Sequence, residues 1–184
     1  MEQSMKNLMI DIETLSTNLN AVVLSIGAVV FDPNSDKIGA QFSIRLPTQE
    51  QIEQGALVDV KTFLWWMDQS NEAKQAAFHG PCAQSVTQGL EKFSRFVNHL
   101  SADKILLWSN GPAFDSAQLR LLFKRFNVAW PFCYNADRDC RTIFDLAYPD
   151  TPVPVEDTGV KHNALADALW QAKAVQTCIK KLTY

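Results

Sequence analysis

The sequence lacks a long apolar run, a secretion signal and paired cysteines. No stretch approaches the ~20 apolar residues that a membrane-spanning helix needs, and the start, MEQSMKN, has one lysine and no apolar segment of a signal peptide. The four cysteines form no C-x-x-C pair and no spacing typical of a disulfide scaffold. We therefore expect a soluble, cytoplasmic protein with reduced thiols and no membrane partner.

Glycine, proline and an excess of positive charge are also scarce. With 7 Gly and 8 Pro, 47% hydrophobic and 20% charged residues, the composition excludes collagen and disordered chains. The length of 184 residues predicts one domain over residues 1–184. The net charge of −3, from 17 basic and 20 acidic residues, argues against a protein that holds polyanions by bulk attraction. A nucleic acid would have to be bound locally.

Hydrophobic periodicity predicts strands followed by helices that alternate with strands. Short β-branched or alternating runs are typical of strands, and apolar residues three or four apart indicate helices. The predicted strands are Leu8–Glu13, Val22–Phe31, Gln41–Leu46, Lys104–Ser109 and a fifth near Phe132–Asn135. The predicted helices lie within Val58–Leu100, divided at Pro81, and at Phe114–Phe126, Arg141–Ala147 and Ala164–Leu182. The pattern predicts an α/β fold, with three antiparallel strands opening a mixed central sheet flanked by helices.

The first predicted strand carries two acids on one face. Because side chains alternate along a strand, Met9, Asp11 and Glu13 share one face, and the aliphatic residues between them share the other. Two buried carboxylates repel each other, and a divalent ion with oxygen ligands, as Mg²⁺ prefers, would stabilise them. The alternative is a strand whose acids reach solvent at its carboxyl end.

Two more acids and a histidine are placed to join this pair. Asp115 follows the fourth strand and begins a helix, and ligands in open α/β sheets gather at the carboxyl ends of strands. His162 and Asp167 would point about 140° apart on one helix. We therefore place His162 on the entry loop or at the cap, with Asn163 as another candidate cap and Asp167 near the helix N-terminus. The alternatives are ordinary helix-start acids and an exposed loop histidine.

Three motifs, taken in order, resemble a known enzyme family. DIET at 11–14, SNGPAFD at 109–115 and HNALAD at 162–167 resemble the three exonuclease motifs of the DnaQ-like DEDDh 3'-5' exonucleases. SIGA at 25–28, FLWW at 63–66 and RDCRT at 138–142 resemble the phage and bacterial exonuclease VIII-like subgroup, which is also similar to a 3'-5' exoribonuclease domain. Ala166 departs from the acid expected beside Asp167 in this subgroup.

The resemblance implies a fold, a reaction and a set of site residues. It implies a ribonuclease H-like fold with a five-stranded mixed sheet and release of nucleoside 5'-monophosphates from the 3' end of nucleic acid. Asp11, Glu13, Asp115 and Asp167 would hold two Mg²⁺ ions, with Mn²⁺ as a possible substitute, and His162 would be the general base. In such chemistry two ions activate a water and stabilise the leaving oxygen, and a histidine accepts the proton at neutral pH.

Substrate contacts are assigned to four further residues. The resemblance places Thr14 and Leu15 against the terminal nucleotide; in addition, Trp66 or its neighbour Trp65 could stack on a base, although aromatics in a helix are more often core. Lys161 could contact a phosphate.

The expected partner is the 3' end of single-stranded DNA, with RNA as the alternative because no motif reports on the 2'-hydroxyl. The place of action would be the cytoplasm of a bacterium or a phage-infected cell, and a homodimer is possible. Two other functions compete with the exonuclease. One is an inactive nucleic-acid-binding module, and the other is a phosphatase with Asp11 as its nucleophile.

Overall fold

A computed structural model describes residues 5–100 and 104–183, which form a five-stranded sheet with helices on its two faces. The strands are β1 Asn7–Thr14, β2 Val23–Phe31, β3 Ile38–Arg45, β4 Leu106–Ser109 and β5 Asp137–Asp139. The helices are α1 Thr48–Glu53, α2 Val60–Met67, α3 Asn71–Phe78, α4 Val86–Asn98, α5 Asp115–Arg125, α6 Cys140–Ala147 and α7 Ala164–Thr183. No helix in these described ranges is long and apolar enough to cross a membrane.

The central strand of the sheet is β1. The strand order is β3-β2-β1-β4-β5, with β1 antiparallel to β2 and parallel to β4. The outer pairs follow the same division, since β2 and β3 are antiparallel and β4 and β5 are parallel. This mixed sheet and its antiparallel opening confirm the predicted fold class. Because β1 and β4 run side by side in one direction, the segments that follow them leave the same edge of the sheet.

The alternation along β1 separates two hydrophobic clusters. Leu8, Ile10 and Ile12 pack into the larger cluster, with apolar side chains of α4 and α5. Met9 packs on the opposite face, in a cluster with residues of α6 and α7. The predicted division of this strand into two faces is thus confirmed. Burial on both faces fixes the register of the strand, since a slip by one residue would exchange the faces.

The fifth strand lies further along the chain than the periodicity predicts. Phe132 packs into the larger cluster and Tyr134–Asn135 form a turn, whereas β5 is the acidic segment 137–139. Asp137 is held there by Arg120 of α5 at 2.8 Å and by the Ser116 hydroxyl at 2.6 Å. A polar edge strand held by side-chain contacts has no hydrophobic pattern, and the prediction at 132–135 was therefore wrong.

Other element boundaries differ from the predictions by a few residues. The helical region before Pro81 is two helices, because α2 ends before Ser70, whose hydroxyl accepts from the Ala73 N–H and starts α3. The short helix α1 was not predicted. In addition, β3 begins at Ile38 and β4 at Leu106. Such shifts are expected, since helix and strand ends depend on tertiary contacts.

A glycine on β2 allows the last helix to lie close to the sheet. Gly27 pairs with Asp11 across the β1–β2 ladder, and a Cβ at this position would overlap the backbone of Ala164 and Leu165 in the first turn of α7. Only a residue without a side chain leaves room for that backbone. Gly27 therefore sets where α7 begins relative to Asp11.

We expect Gly27→Ala to displace the start of α7. Overpacking of this kind costs about 1–3 kcal/mol, so thermal unfolding should occur at a lower temperature and nuclease activity should fall. Gly39→Ala is the control, because its new Cβ meets the flexible end of the Met5 side chain at 2.6 Å rather than backbone. Equal stability and activity of the two variants would show that the close approach at Gly27 is unimportant.

Candidate active site

The two acids of β1 lie at its carboxyl end, beneath α7. Asp11 is partly buried, and its Oδ1 accepts a hydrogen bond of 2.7 Å from the Gln171 side-chain amide. Glu13 is 8% exposed and pairs in the ladder with Ser25 of β2. Neither side chain points freely into solvent, so the alternative of a solvated pair does not describe this strand.

Asp115 reaches the same region from β4. It is the first residue of α5 and is 6% exposed. Its carboxylate accepts from its own N–H and from the Ile12 N–H on β1, and the Arg141 guanidinium lies near enough to attract it. Arg141 in turn donates from Nε to the Asn110 side-chain oxygen at 3.3 Å. The acid after β4 is thus joined directly to the central strand.

His162 and Asp167 enter the site from the start of α7. The Asn163 side-chain oxygen accepts from the N–H groups of Leu165 and Ala166, at 3.1 and 3.2 Å, and caps the helix. His162 precedes this cap with a left-handed backbone, at φ 60°. Of the two predicted positions for His162, the structure has the entry loop, with Asn163 at the cap, and the prediction of Asp167 near the helix N-terminus is confirmed.

The His162 imidazole is enclosed by two tryptophan rings of α2. Its centroid lies 4.7 Å from the Trp65 ring and 6.2 Å from the Trp66 ring, with both contacts edge-to-face. Edge-to-face packing restricts the orientation of an aromatic ring. Helix α2 therefore helps to hold the histidine over the acids.

Together these side chains line two adjoining cavities. Glu13, His162 and Asp167 offer ligand atoms that all lie within 4.8 Å of one another, and they line a cavity of about 630 Å³. Asp115 lines a neighbouring cavity of about 350 Å³ with Asn110 and Arg141, and Asp11 lines both. The tight three-residue group does not include Asp11 or Asp115.

Burial raises the pKa of all four acids, and repulsion by neighbouring acids adds to it at Asp11 and Glu13. The pKa of Asp11 is raised well above its ordinary value by burial and by the charges of Asp115, Glu13 and Asp167. Burial, with smaller contributions from Asp167 and Asp115, raises the pKa of Glu13 to about 8. Burial alone raises the pKa of Asp115, to about 6, and that of Asp167.

The cluster fits a divalent cation. Within the described ranges, the ion pairs are Arg95–Glu91 and Arg120–Asp137, so neither compensates these acids. Buried carboxylates with raised pKa values need a compensating positive charge. Carboxylate oxygens are the ligands that Mg²⁺ and Mn²⁺ prefer, and the donor set therefore suits such ions.

Two of the predicted substrate contacts are largely buried in the core. Trp66 is 1% exposed, because its ring packs in a cluster with Leu15 and residues of α3, and its N–H donates to the Thr14 carbonyl at 3.0 Å. The exposed ring is that of Trp65, at 43%. Leu15 is 7% exposed, and its N–H and carbonyl bond to Val22 and Asp59. Trp66 still lines a cavity with Thr14 and Trp65, and both Trp66 and Leu15 stay predictions as substrate contacts.

Thr14 and Lys161 remain predictions, since both lie at the site. Thr14 is partly buried and lines a cavity of about 490 Å³ with Glu13, Lys61 and Trp65. Lys161 is exposed beside His162, on the larger acidic cavity. Sequence reasoning missed Gln171, although its spacing of one helical turn from Asp167 could have indicated it.

Comparison with known proteins places the chain among nucleases. A family model described as the 3'-5' exoribonuclease Rv2179c-like domain matches residues 6–179. A protein of Enterobacteria phage T4 named exodeoxyribonuclease is 27% identical over 119 residues, which cover 60% of this chain and 52% of that protein. The chain therefore spans about half the length of this curated relative.

Solved structures share the fold. The nuclease domain of 3'hExo, a DEDDh family member bound to rAMP, superposes with a TM-score of 0.64 and 13% identity, over 99% of this chain and 94% of that one. E. coli Exonuclease I in complex with a dT13 oligonucleotide superposes with a TM-score of 0.62 and 16% identity, over 92% and 40% of the chains. The ribonuclease H-like, DEDDh-type fold predicted from the motifs is confirmed.

The raised pKa values predict how the stability of the metal-free protein depends on pH. The folded protein keeps protons on Glu13 and Asp115 that the unfolded chain has released, so it binds more protons than the unfolded chain. Stability should therefore fall as the pH rises from about 4, where the ordinary pKa values of these acids lie, to about 8, the pKa of Glu13 in the folded protein. Thermal unfolding in chelator measures this, and saturating Mg²⁺ should reduce the fall.

Two variants test the assignment of this effect. The side chain introduced by Glu13→Gln does not ionise, so this variant should lose less stability over the same pH range. Glu91→Gln, at an exposed position on α4, should behave as the wild type. If both variants kept the wild-type slope, the effect would not come from the acidic cluster.

Proposed function

This chain belongs to the Rv2179c-like 3'-5' exoribonuclease domain family of DEDDh exonucleases, and on that premise we propose that it removes nucleoside 5'-monophosphates from single-stranded 3' ends. We treat residues 1–184 as a single exonuclease domain. The observation that carries the proposal is the meeting of Asp11, Glu13, Asp115, His162 and Asp167 at one edge of the sheet.

The family is metal-dependent, and the four acids are the residues we assign to the ions. When bound, two divalent ions would supply an activated water and stabilise the leaving 3'-oxygen. Asp11 lines both cavities and would be one of the residues that hold the ions. Glu13 and Asp167 serve the larger cavity and Asp115 the smaller one.

The proton of the attacking water goes to His162 in this proposal. The imidazole lies within 4.8 Å of carboxylate oxygens of Glu13 and Asp167, and it lines the same cavity as these acids. The tryptophan rings hold it in place, and a neutral imidazole nitrogen accepts a proton at neutral pH. The phosphatase alternative gives the histidine no comparable task.

The terminal nucleotide is assigned to the cavity beside Glu13. Thr14, Lys61 and Trp65 line it, so an aromatic ring and a positively charged side chain both border this cavity. Stacking of a base on an aromatic ring and contact of a phosphate with lysine are common in single-strand binding. Lys161 is the second phosphate contact that we propose.

DNA is the substrate we favour, and RNA is the second candidate. The relative in phage T4 is named an exodeoxyribonuclease, which also supports a phage-infected bacterium as the place of action. The family description names an exoribonuclease and covers residues 6–179, and this observation keeps RNA as a candidate. An inactive binding module is less consistent with a complete set of acids and a histidine.

The first test follows degradation of 5'-labelled single-stranded DNA and RNA of one sequence, with Mg²⁺, Mn²⁺ or chelator. We expect a metal-dependent ladder that shortens from the 3' end, faster on DNA. Asp11→Asn should abolish the ladder, since it removes the charge but keeps an oxygen for Gln171. Asp145→Asn, at an exposed position on α6, should be as active as the wild type. Equal activity of Asp11→Asn would contradict the proposal, and cleavage from the 5' end would refute its polarity.

The second test separates a general base from a metal ligand. His162→Ala should lower kcat by about 10² to 10⁴, as loss of a general base does, and should retain Mn²⁺ affinity in a calorimetric titration. His79→Ala, at an exposed site after α3, is the control and should leave both properties unchanged. A loss of Mn²⁺ affinity equal to the loss of turnover would make His162 a ligand instead.

A further inference from the structure

Among the residues that the structure describes, four glutamines are buried, and one of them differs from the other three in its hydrogen-bond partner. Gln51, Gln118 and Gln176 are 0%, 2% and 7% exposed, and their amides bond to main-chain groups of loops, turns and the start of β2. Gln171, 4% exposed, bonds instead to the side chain of Asp11. Burial of an amide is costly unless it is hydrogen-bonded, so each of these side chains requires a specific partner.

Only half of the Gln171 amide is satisfied. Its Nε2 donates to Asp11 Oδ1 at 2.7 Å, whereas its buried Oε1 has no hydrogen-bond partner. Gln171 lines the larger acidic cavity together with Asp11 and Asp167. An unpaired buried acceptor costs free energy, and the polar cavity beside it has room for a water that could donate to this oxygen.

The chemistry of an amide suits this position. Asp11 is crowded by three other acids, so a donor stabilises its charge. A lysine or arginine there would compete with a cation for the carboxylates, whereas an amide donates a hydrogen bond without adding charge. Because the amide bonds to Oδ1, it sets the rotamer of Asp11 and leaves Oδ2 available for an ion.

We infer that Gln171 is a positioning residue of the metal centre, which orients Asp11 through Nε2 and accepts from a water in the cavity through Oε1. The inference rests on the proposed function. Residues that hold a metal ligand through a hydrogen bond contribute about 10- to 100-fold to metal affinity. Gln171 touches neither substrate nor the reacting atoms, and it acts through Asp11.

The chain offers a matched control on the same helix. Gln176 is also buried in α7, but its amide binds the carbonyls of Asp32 and Lys37 in the β2–β3 turn, away from the acids. Replacement of either glutamine by methionine keeps the length of the side chain and removes the amide. Both variants should lose stability, but only one removes a contact to Asp11.

The experiment titrates the full chain with Mn²⁺, following free Mn²⁺ by electron paramagnetic resonance, with circular dichroism to check folding. We expect Gln171→Met to bind Mn²⁺ about 10- to 100-fold more weakly, and Gln176→Met to bind as the wild type. The metal dependence of nuclease activity should shift to higher Mn²⁺ concentration in Gln171→Met, with most of kcat recovered at saturation. Gln171→Asn, whose amide is one methylene too short, should show the same weakening and replaces Gln171→Met if that variant does not fold.

Other outcomes overturn the inference in distinguishable ways. Wild-type affinity in both Gln171 variants, or an equal loss in Gln176→Met, would show that Gln171 is only a packing residue. The proposed function would survive that result. If the wild-type chain itself bound no Mn²⁺, the proposed function would fail, and the inference about Gln171 would fail with it.

Discussion

The repulsion among four buried carboxylates is the constraint to which the rest of the site responds. Asp11, Glu13, Asp115 and Asp167 come from one strand and two helices, and each is at least partly buried. Proximity of like charges in a region of low dielectric opposes folding. Hydrophobic packing must therefore hold the strand and the two helices together against the repulsion between the acids. A bound cation would turn the same arrangement of carboxylates into a stabilising one.

The packing that holds the acids lies on the two faces of the sheet. Helix α5 covers one face with the larger hydrophobic cluster, and α7 covers the other. Gly27 lets the first turn of α7 contact the backbone of β2 beside Asp11, and Asn163 ends the incoming loop at that point. A rigid sheet between two packed layers thus supplies the precision that ligand geometry requires.

Polar side chains contact the acids without forming ion pairs with them. Arg141 moderates the pKa of Asp115, and Gln171 donates to Asp11, yet neither forms an ion pair with the cluster in the described part of the chain. The carboxylate oxygens of the cluster therefore stay available to cations. Since the whole chain has a net charge of −3, attraction for a nucleic acid must come from such ions and from nearby lysines.

The sequence by itself determined the fold class and the two faces of β1, and it offered Asn163 as one of two candidate caps. These depend on alternation along a strand and on cap chemistry, which operate over a few neighbouring residues. The five residues of the candidate site were predicted from the resemblance of three motifs that lie far apart along the chain. The tertiary structure alone decided that Trp66 and Leu15 are core, that the acidic segment 137–139 is a strand, and that Gln171 binds Asp11. These outcomes depend on which distant segment packs against a residue, because burial and hydrogen-bond partners are properties of the folded neighbourhood.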